Sequence, residues 1–391
     1  MNEKILIVAS VWGFAAKFES EDIRQLKEMG YEVHLASNQS NPIFRFPEDV
    51  YEKMGVIYHD TEIWQSPFGI SHNLRAIRQI REIIRKEKIR TVHCHTPSGG
   101  MVARLAAFGM KAYVIYTAHG FHFYRGAGRI HNFVYHTVEN LLSRMTDVIV
   151  TINHEDYQAA GKMHEKRGAY LIHGVGLDRQ YFHETTEKQR GERRKKLGVE
   201  GKFFMLGVGE LRENKNPIAV ICALAYLKNC GIDIGAFCYG LLGAGKQEQE
   251  LREEAKGLGV SENVVFYGYQ PDVRDYLMAA DIMIFPTIRE GLGMAALEAL
   301  SMGVPVLASD NRGTREYMLD GINGYVCREN SPKAYAGYIL RMYKERKEWG
   351  ENMERRADIR KTTENFDKSK TAAVMKRVYE DAKNQCAALC S

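Results

Sequence analysis

Two carboxylates, Glu290 and Glu298, stand eight residues apart in EGLGMAALE. The glycines between them let backbone approach a ligand closely. The segment follows the apolar run DIMIFP and reads as the opening of a helix. A helix N-terminus offers free N–H groups and a positive dipole end, a seat for a diphosphate. Eight helical residues span about 12 Å, so the pair could touch different ends of one long ligand. A capping carboxylate plus a surface glutamate fits the same letters equally well.

Other chemistry is scattered along the chain. Gly240–Gln247, GLLGAGKQ, has the spacing GxxxxGK without the Ser/Thr that would bind Mg²⁺. It reads better as a glycine-rich strand-to-helix turn than as a nucleotide-hydrolysing loop. His93 and His95 share a strand face in TVHCH, and His119 and His122 form HxxH. A metal site needs a third ligand and supporting partners. Neither is evident, so no metal is expected, and His119 is the best functional candidate. FHFYRGAGRIHNFVYH gathers aromatics with Arg125 and Arg129. Arginine binds phosphate and aromatic faces stack on sugars, although a loop anchored by its aromatics explains the cluster equally.

These residues need elements to hold them. KILIVAS reads as a strand, Glu19–Met29 as a helix ended by Gly30, and YEVHLAS as a second strand. Such a βαβ unit implies a parallel sheet. Helix Asn73–Lys88, strand TVHCH, helix Gly99–Gly109 and strands AYVIYTA and DVIVTI continue it. The second half repeats the pattern with strands FFMLGVG, IGAFCYGLL, VVFYG, DIMIFP and PVLAS, with helices Pro217–Asn229 and Gln247–Lys256, and with EGLGMAALEALSMG as a helix between the last two strands. Glu184–Lys196 is charged and lacks large apolar residues, so it reads as a surface connection. All 13 histidines lie at or before His183. The expected domains are 1–178, 179–365 and a returning C-terminal helix 366–391. The expected fold class is α/β, two doubly wound domains facing a cleft lined by strand C-termini.

Composition narrows the class. The 391 residues carry a net charge of +5 and are 45% apolar, which fits folded domains and gives no reason to expect nucleic acid. Seven scattered cysteines without CxxC point to a reducing cytoplasm. No apolar run reaches the ~18 residues of a membrane span, and Ile5–Ala16 reads as a buried first strand rather than a leader. Leu74–Arg90 holds seven basic and two acidic residues around a stripe of Leu74, Ile77, Ile80, Ile83 and Ile84. It reads as a helix packed inward with a basic outer face. That face also suits anionic lipid, at up to ~1 kcal/mol per basic residue.

Ordered motifs carry a family resemblance. E-x7-E, then EALSMGVPVLASDNRGTREYMLDGINGYV, with TAHGFHFYRGA and TINHEDY upstream, resembles glycosyltransferase family 4 in its exopolysaccharide and capsule branch. The resemblance implies the GT-B fold and a retaining, metal-independent transferase without cofactor. It implies a UDP-sugar donor, with N-acetylhexosamine expected, and a lipid-diphosphate-linked saccharide acceptor at the inner membrane face. By position, Glu290 would contact donor-sugar hydroxyls and Glu298 the ribose. The backbone of Gly293, Met294 and Ala295, with Lys215, would hold the diphosphate. Gly243 and Gly245 would line the donor site, and His119 would stabilise charge at the reacting sugar. Gly13, His122, Tyr124 and Arg125 would lie on the acceptor side. One departure stands out. Glu210 occupies the position where relatives carry Arg, leaving Arg212 as the compensating cation. A UDP-N-acetylglucosamine epimerase and a non-catalytic nucleotide-sugar binder are the alternative readings.

Overall fold

The computed structural model describes all residues except 1–2, 41–45, 67–68, 350–351 and 389–391. Residues 389–391 of the expected C-terminal helix fall outside the described residues. The chain forms two compact units, 1–176 with 368–391, and 177–367.

Among the described residues, seven strands build the first unit: β1 (Glu3–Val8), β2 (Tyr31–Ser37), β3 (Ile57–Asp60), β4 (Thr91–His95), β5 (Tyr113–Ala118), β6 (Val148–Thr151) and β7 (Ala169–Leu171). Between them run α1 (Phe14–Phe18), α2 (Ser20–Glu28), α3 (Val50–Lys53), α4 (Ile70–Lys86), α5 (Pro97–Ala107), α6 (Arg129–Ser143) and α7 (His154–Ala160). The sheet order is β3-β2-β1-β4-β5-β6-β7, and the pairings are parallel. Ile5 to Val8 are fully buried, as expected of a central parallel strand with both faces covered.

The second unit begins with α8 (Glu187–Leu197) and contains β8 (Phe203–Val208), β9 (Phe237–Leu242), β10 (Val264–Gly268), β11 (Ile282–Phe285), β12 (Val306–Ser309) and β13 (Gly324–Cys327). Its helices are α9 (Ile218–Asn229), α10 (Glu248–Gly257), α11 (Arg274–Ala279), α12 (Met294–Ser301), α13 (Pro332–Lys344) and α14 (Met353–Lys361). Its sheet order is β10-β9-β8-β11-β12-β13. In each sheet the order reverses beside the first strand, between β1 and β4 and between β8 and β11. Ligands of doubly wound sheets bind at such switch points, beyond the strand C-termini.

The last helix, α15 (Lys368–Ala388), returns to the first unit. Met375, Val378, Tyr379, Ala382 and Cys386 form its buried face.

Three sequence expectations need correction. Glu184–Lys196 is not an irregular connection, because most of it is α8. Thr186 and Gln189 close a capping box at its start. The helix has no buried apolar face. Arg190 and Arg194 instead anchor it to buried Asp281, with Arg194 Nη1 3.0 Å from the carboxylate. EGLG is not helical, for α12 starts at Met294. In α4, Ala76, Ile80 and Ile84 face the core while Leu74 stands exposed.

Candidate functional site

In the second unit, the loops after β8 and β11 meet at the switch point. Lys215 sits in a 3₁₀ turn, Glu213–Lys215, after β8. Its ammonium donates to Glu290 Oε1, and both side chains are mostly buried. The Lys215 ammonium also lies 5.5 Å from the Phe285 ring centroid. Two residues 75 positions apart in the chain therefore form one ion pair. A buried pair of this kind is costly to strip to a single charge.

The Glu290 loop is fixed from several sides. Asn214 Nδ2 donates to Arg289 O at 3.0 Å, and Ile288 N–H donates to Asn214 O at 2.8 Å. Buried Arg312 donates from Nε to Glu290 O at 3.3 Å. Asn311 Nδ2 donates to Thr287 O at 2.9 Å. Asn214, Asn311 and Arg312 were not singled out in the sequence. Only the polar density of DNRGTRE hinted at the latter two.

Gly293 precedes α12 at φ +94°, a left-handed conformation, and a side chain there would meet Phe285 and Tyr317. No side chain caps α12, and Gly293, Met294 and Ala295 stay partly exposed at its N-terminus. Its first N–H groups are therefore left without a side-chain cap, the arrangement that can receive an anion. The Tyr317 hydroxyl is pushed well up by burial and by the Glu290 charge. Glu298, half-buried on α12, adds its charge to burial and Asp272 in pushing Tyr181 up. The Arg274 guanidinium lies 3.8 Å from the Tyr181 ring centroid.

Gly243 and Gly245 prove to be loop-packing residues. A side chain at Gly243 would fall on the Gly209 carbonyl, and one at Gly245 on the Leu211 backbone. Leu211 N–H donates to Ala244 O at 3.1 Å, and Gln247 N–H to Leu211 O at 3.2 Å. The glycine-rich turn is thus zipped to the loop that carries Lys215. Arg212 Nε lies 3.3 Å from Glu210 Oε2, with both side chains about half exposed. The cation expected to compensate for Glu210 is thus paired with Glu210 itself.

In the first unit, His119 follows β5 and touches the Phe14 ring edge-on at 5.3 Å between centroids. His119 Nε2 lies 3.2 Å from His95 Nδ1. Glu19 Oε1 lies 3.3 Å from His95 Nδ1 and 4.0 Å from His119 Nε2. The expectation that no third ligand accompanies the histidines is therefore corrected. These three ligand atoms lie within 4.8 Å of one another, so Glu19, His95 and His119 are the residues that could hold a cation.

The same triangle also works as a hydrogen-bond set. His95 Nε2 is buried without a partner among the described residues. An orphan lone pair is cheaper to bury than an orphan N–H, which places the His95 proton on Nδ1, donating to His119 Nε2. The His119 proton then sits on Nδ1. Behind them, Tyr379 of α15 donates to Asp22 Oδ2 at 2.8 Å and meets His93 Nδ1 at 3.0 Å. His93 Nε2 meets Thr117 Oγ1 at 2.7 Å. Desolvation holds the imidazoles neutral, bringing His119 down to about 4 and His93 to about 3. It pushes Asp22 up to about 6 and Glu19 well above the usual carboxylate range.

The remaining acceptor-side candidates separate. Gly13 is buried, and its N–H donates to Tyr51 Oη at 2.9 Å. His122 stacks on Tyr135, 5.1 Å between centroids. Tyr124 and Arg125 line a cavity of about 430 Å³ with Phe123, Phe133 and His136.

Comparison with known proteins follows the same division. Residues 4–152 match the family "Glycosyl transferase 4-like", and residues 189–366 match "Glycosyl transferases group 1". EpsD of Bacillus subtilis (strain 168), named as a glycosyltransferase, is 36% identical over 348 residues, 88% of each chain. An Escherichia coli UDP-Gal:alpha-D-GlcNAc-diphosphoundecaprenol alpha-1,3-galactosyltransferase is 22% identical over 82% of each chain. Anabaena Alr3699/HepE, solved with UDP and glucose, shares the fold at TM-score 0.77 and 17% identity, over 97% of this chain and 100% of that one. With both halves matched and a full-length relative at this identity, the chain belongs to the family 4 glycosyltransferases of GT-B fold.

Proposed function

We propose that the chain moves a sugar from a UDP-sugar, with N-acetylhexosamine as the donor sugar, to a lipid-diphosphate-linked saccharide in exopolysaccharide or capsule assembly. The reaction retains anomeric configuration and uses no metal. The observation that carries the donor half is the Lys215–Glu290 pair beside the uncapped start of α12. A cation and free N–H groups suit a departing diphosphate, and a carboxylate suits sugar hydroxyls. In this reading Lys215 and the N–H groups of Gly293, Met294 and Ala295 take the diphosphate. Glu290 holds the donor sugar and Glu298 the ribose. His119, kept neutral by burial, sits at the reacting sugar and steadies positive charge at the anomeric carbon. The bond from that carbon to the diphosphate oxygen breaks and one to the acceptor oxygen forms on the same face, with the hydroxyl proton passing to the donor phosphate. The names of the Escherichia coli relative and of the HepE complex support a UDP donor, and the former a lipid-diphosphate acceptor. In this reading the enzyme works in the cytoplasm, peripheral to the membrane that holds its acceptor.

The Arg212–Glu210 pair favours one rival, a nucleotide-sugar binder that does not transfer. Metal-free thermal shifts with UDP, GDP, ADP and their sugars test the donor. Ligand at 100 times its dissociation constant should stabilise by about 2.7 kcal/mol. A UDP-selective shift, followed by transfer that Glu290→Ala abolishes in a folded protein, is expected. No shift with any nucleotide, or binding without transfer to any lipid-linked acceptor, would overturn the reading.

A further inference from the structure

Helix α6 wears its apolar face outward. Ile130, Phe133, Val134, Val138 and Leu141 recur at helical spacing and are all exposed, Ile130 at 82% and Phe133 at 73%. A helix that packs only on its own domain turns this stripe inward. Here the polar side faces the body. Glu139 Oε2 accepts from Nη1 of fully buried Arg104 at 2.9 Å, and Asn132 Oδ1 accepts from Tyr124 N–H at 3.1 Å. Those bonds fix the rotation of α6 and hold its apolar side toward solvent.

Charge indicates what covers it. Residues 120–146 contain Arg125, Arg129 and Arg144 and a single acid, Glu139. That acid is committed to Arg104, while the three arginines are exposed. Arg129 and Arg144 bracket the apolar stripe at its two ends. An apolar face flanked by cations is the pattern of a helix lying in the headgroup layer of an anionic bilayer. Antiparallel pairing with a second copy would instead set these cations against each other. The basic helix α4 instead turns Ala76, Ile80 and Ile84 into the core, and two of its cations are already engaged. Arg75 is bonded to Glu62 at 2.7 Å, and Arg81 donates to Ala106 O and Phe108 O.

We infer that α6 is the membrane-docking element and that its partner is an anionic lipid surface. The cavity shared by Phe133, Tyr124 and Arg125 then opens at the N-terminal end of the docked face. The inference rests on the proposed lipid-linked acceptor.

Flotation of the full chain with phosphatidylcholine vesicles, with and without phosphatidylglycerol, tests it. Binding should be at least ~10-fold stronger to the anionic vesicles and should weaken with salt. Ile130→Ser with Leu141→Ser should lower it ~10-fold or more, and Arg129→Glu with Arg144→Glu should do likewise. Arg78→Glu with Arg85→Glu on α4 should change it less than about twofold. The far-ultraviolet spectrum and the UDP-induced thermal shift of the α6 variants should match wild type. Wild type that ignores anionic vesicles would overturn the inference, as would α6 variants that bind normally. Light scattering that shows a dimer dissociated by the α6 changes would assign the face to a second copy instead. A missing UDP shift would count against the donor reading alone.

Discussion

At the residue scale, the first unit buries titratable groups in opposing directions. Histidines in the unfolded chain protonate near 6.5, whereas His119 and His93 resist until about 4 and about 3. Folding therefore excludes protons at these sites, and stability falls as pH drops below 6.5. At pH 5 each costs about 2 kcal/mol. Asp22 has the opposite sign. It binds its proton at about 6 in the fold against 3.8 unfolded, and it returns about 1 kcal/mol at pH 5. The net expectation is a melting temperature lower at pH 5 than at pH 7 by roughly 5 °C or more. An unchanged or higher value at pH 5 would show that these imidazoles are hydrated. His95 acts on His119 rather than on substrate. His95→Asn keeps an N–H donor near the Nδ1 position and should retain turnover within a few-fold. His95→Leu removes it and should lower kcat by about tenfold, with KM for the donor unchanged. Equal loss in both variants would reduce His95 to a packing residue. His119, Glu290, Glu298 and Lys215 were singled out in the sequence by the motifs around them, and the pairing of Lys215 with Glu290 lay beyond it. Glu19 was not singled out, because it lies far along the chain from His95 and only the β1–β4 switch point brings them together.

At the element scale, α8 shows where periodicity fails as a guide. EKQRGERRKKL has no apolar stripe, so its sequence reads as a connection. Its helix is held at one end by the Thr186–Gln189 box and along its side by Asp281, a residue more than 80 positions away. The Asp281 carboxylate also accepts from Phe204 N–H at 2.7 Å, tying α8 to the first strand of the second sheet. The two supports differ in weight. A capping side chain is worth about 1 kcal/mol, whereas stripping one partner from a buried ion pair costs roughly 3–5 kcal/mol. Denaturant unfolding should therefore show Thr186→Ala mildly destabilised and Asp281→Asn severely so. Similar midpoints for the two would mean that α8 is held by something other than Asp281. The central strands, by contrast, were legible in the sequence, whereas the short edge strands β3, β7 and β13 were not read as strands. Runs such as FFMLGV and IMIF are buried on both faces and admit no alternation to misread.

At the scale of the whole molecule, the chain leaves the first unit, builds the second and comes back. The return is more than a covering helix. Tyr379 is fully buried, and its hydroxyl joins Asp22 to His93. Lys383 donates to Met29 O at 3.1 Å, Gln25 to Ala372 O at 3.0 Å, and Tyr170 to Asp381 at 2.8 Å. Helix α15 thus completes the same buried network that ends at His119. The composition of KSKTAAVMKRVYEDAK gave the helix but not this plug, since nothing local marks Tyr379 as different from other tyrosines. Tyr379→Phe keeps the ring and deletes the hydroxyl, leaving Asp22 and His93 each short of a partner. An unsatisfied buried polar group costs about 1–3 kcal/mol. Hydrogen exchange should therefore accelerate in β1, β4 and β5 of the variant while β8, β11 and α12 exchange as in wild type. The UDP-induced thermal shift should persist, because Lys215, Glu290 and the start of α12 belong to the other unit. Faster exchange spread equally over both units would show that the returning helix stabilises the chain as one body rather than through the Tyr379 hydroxyl.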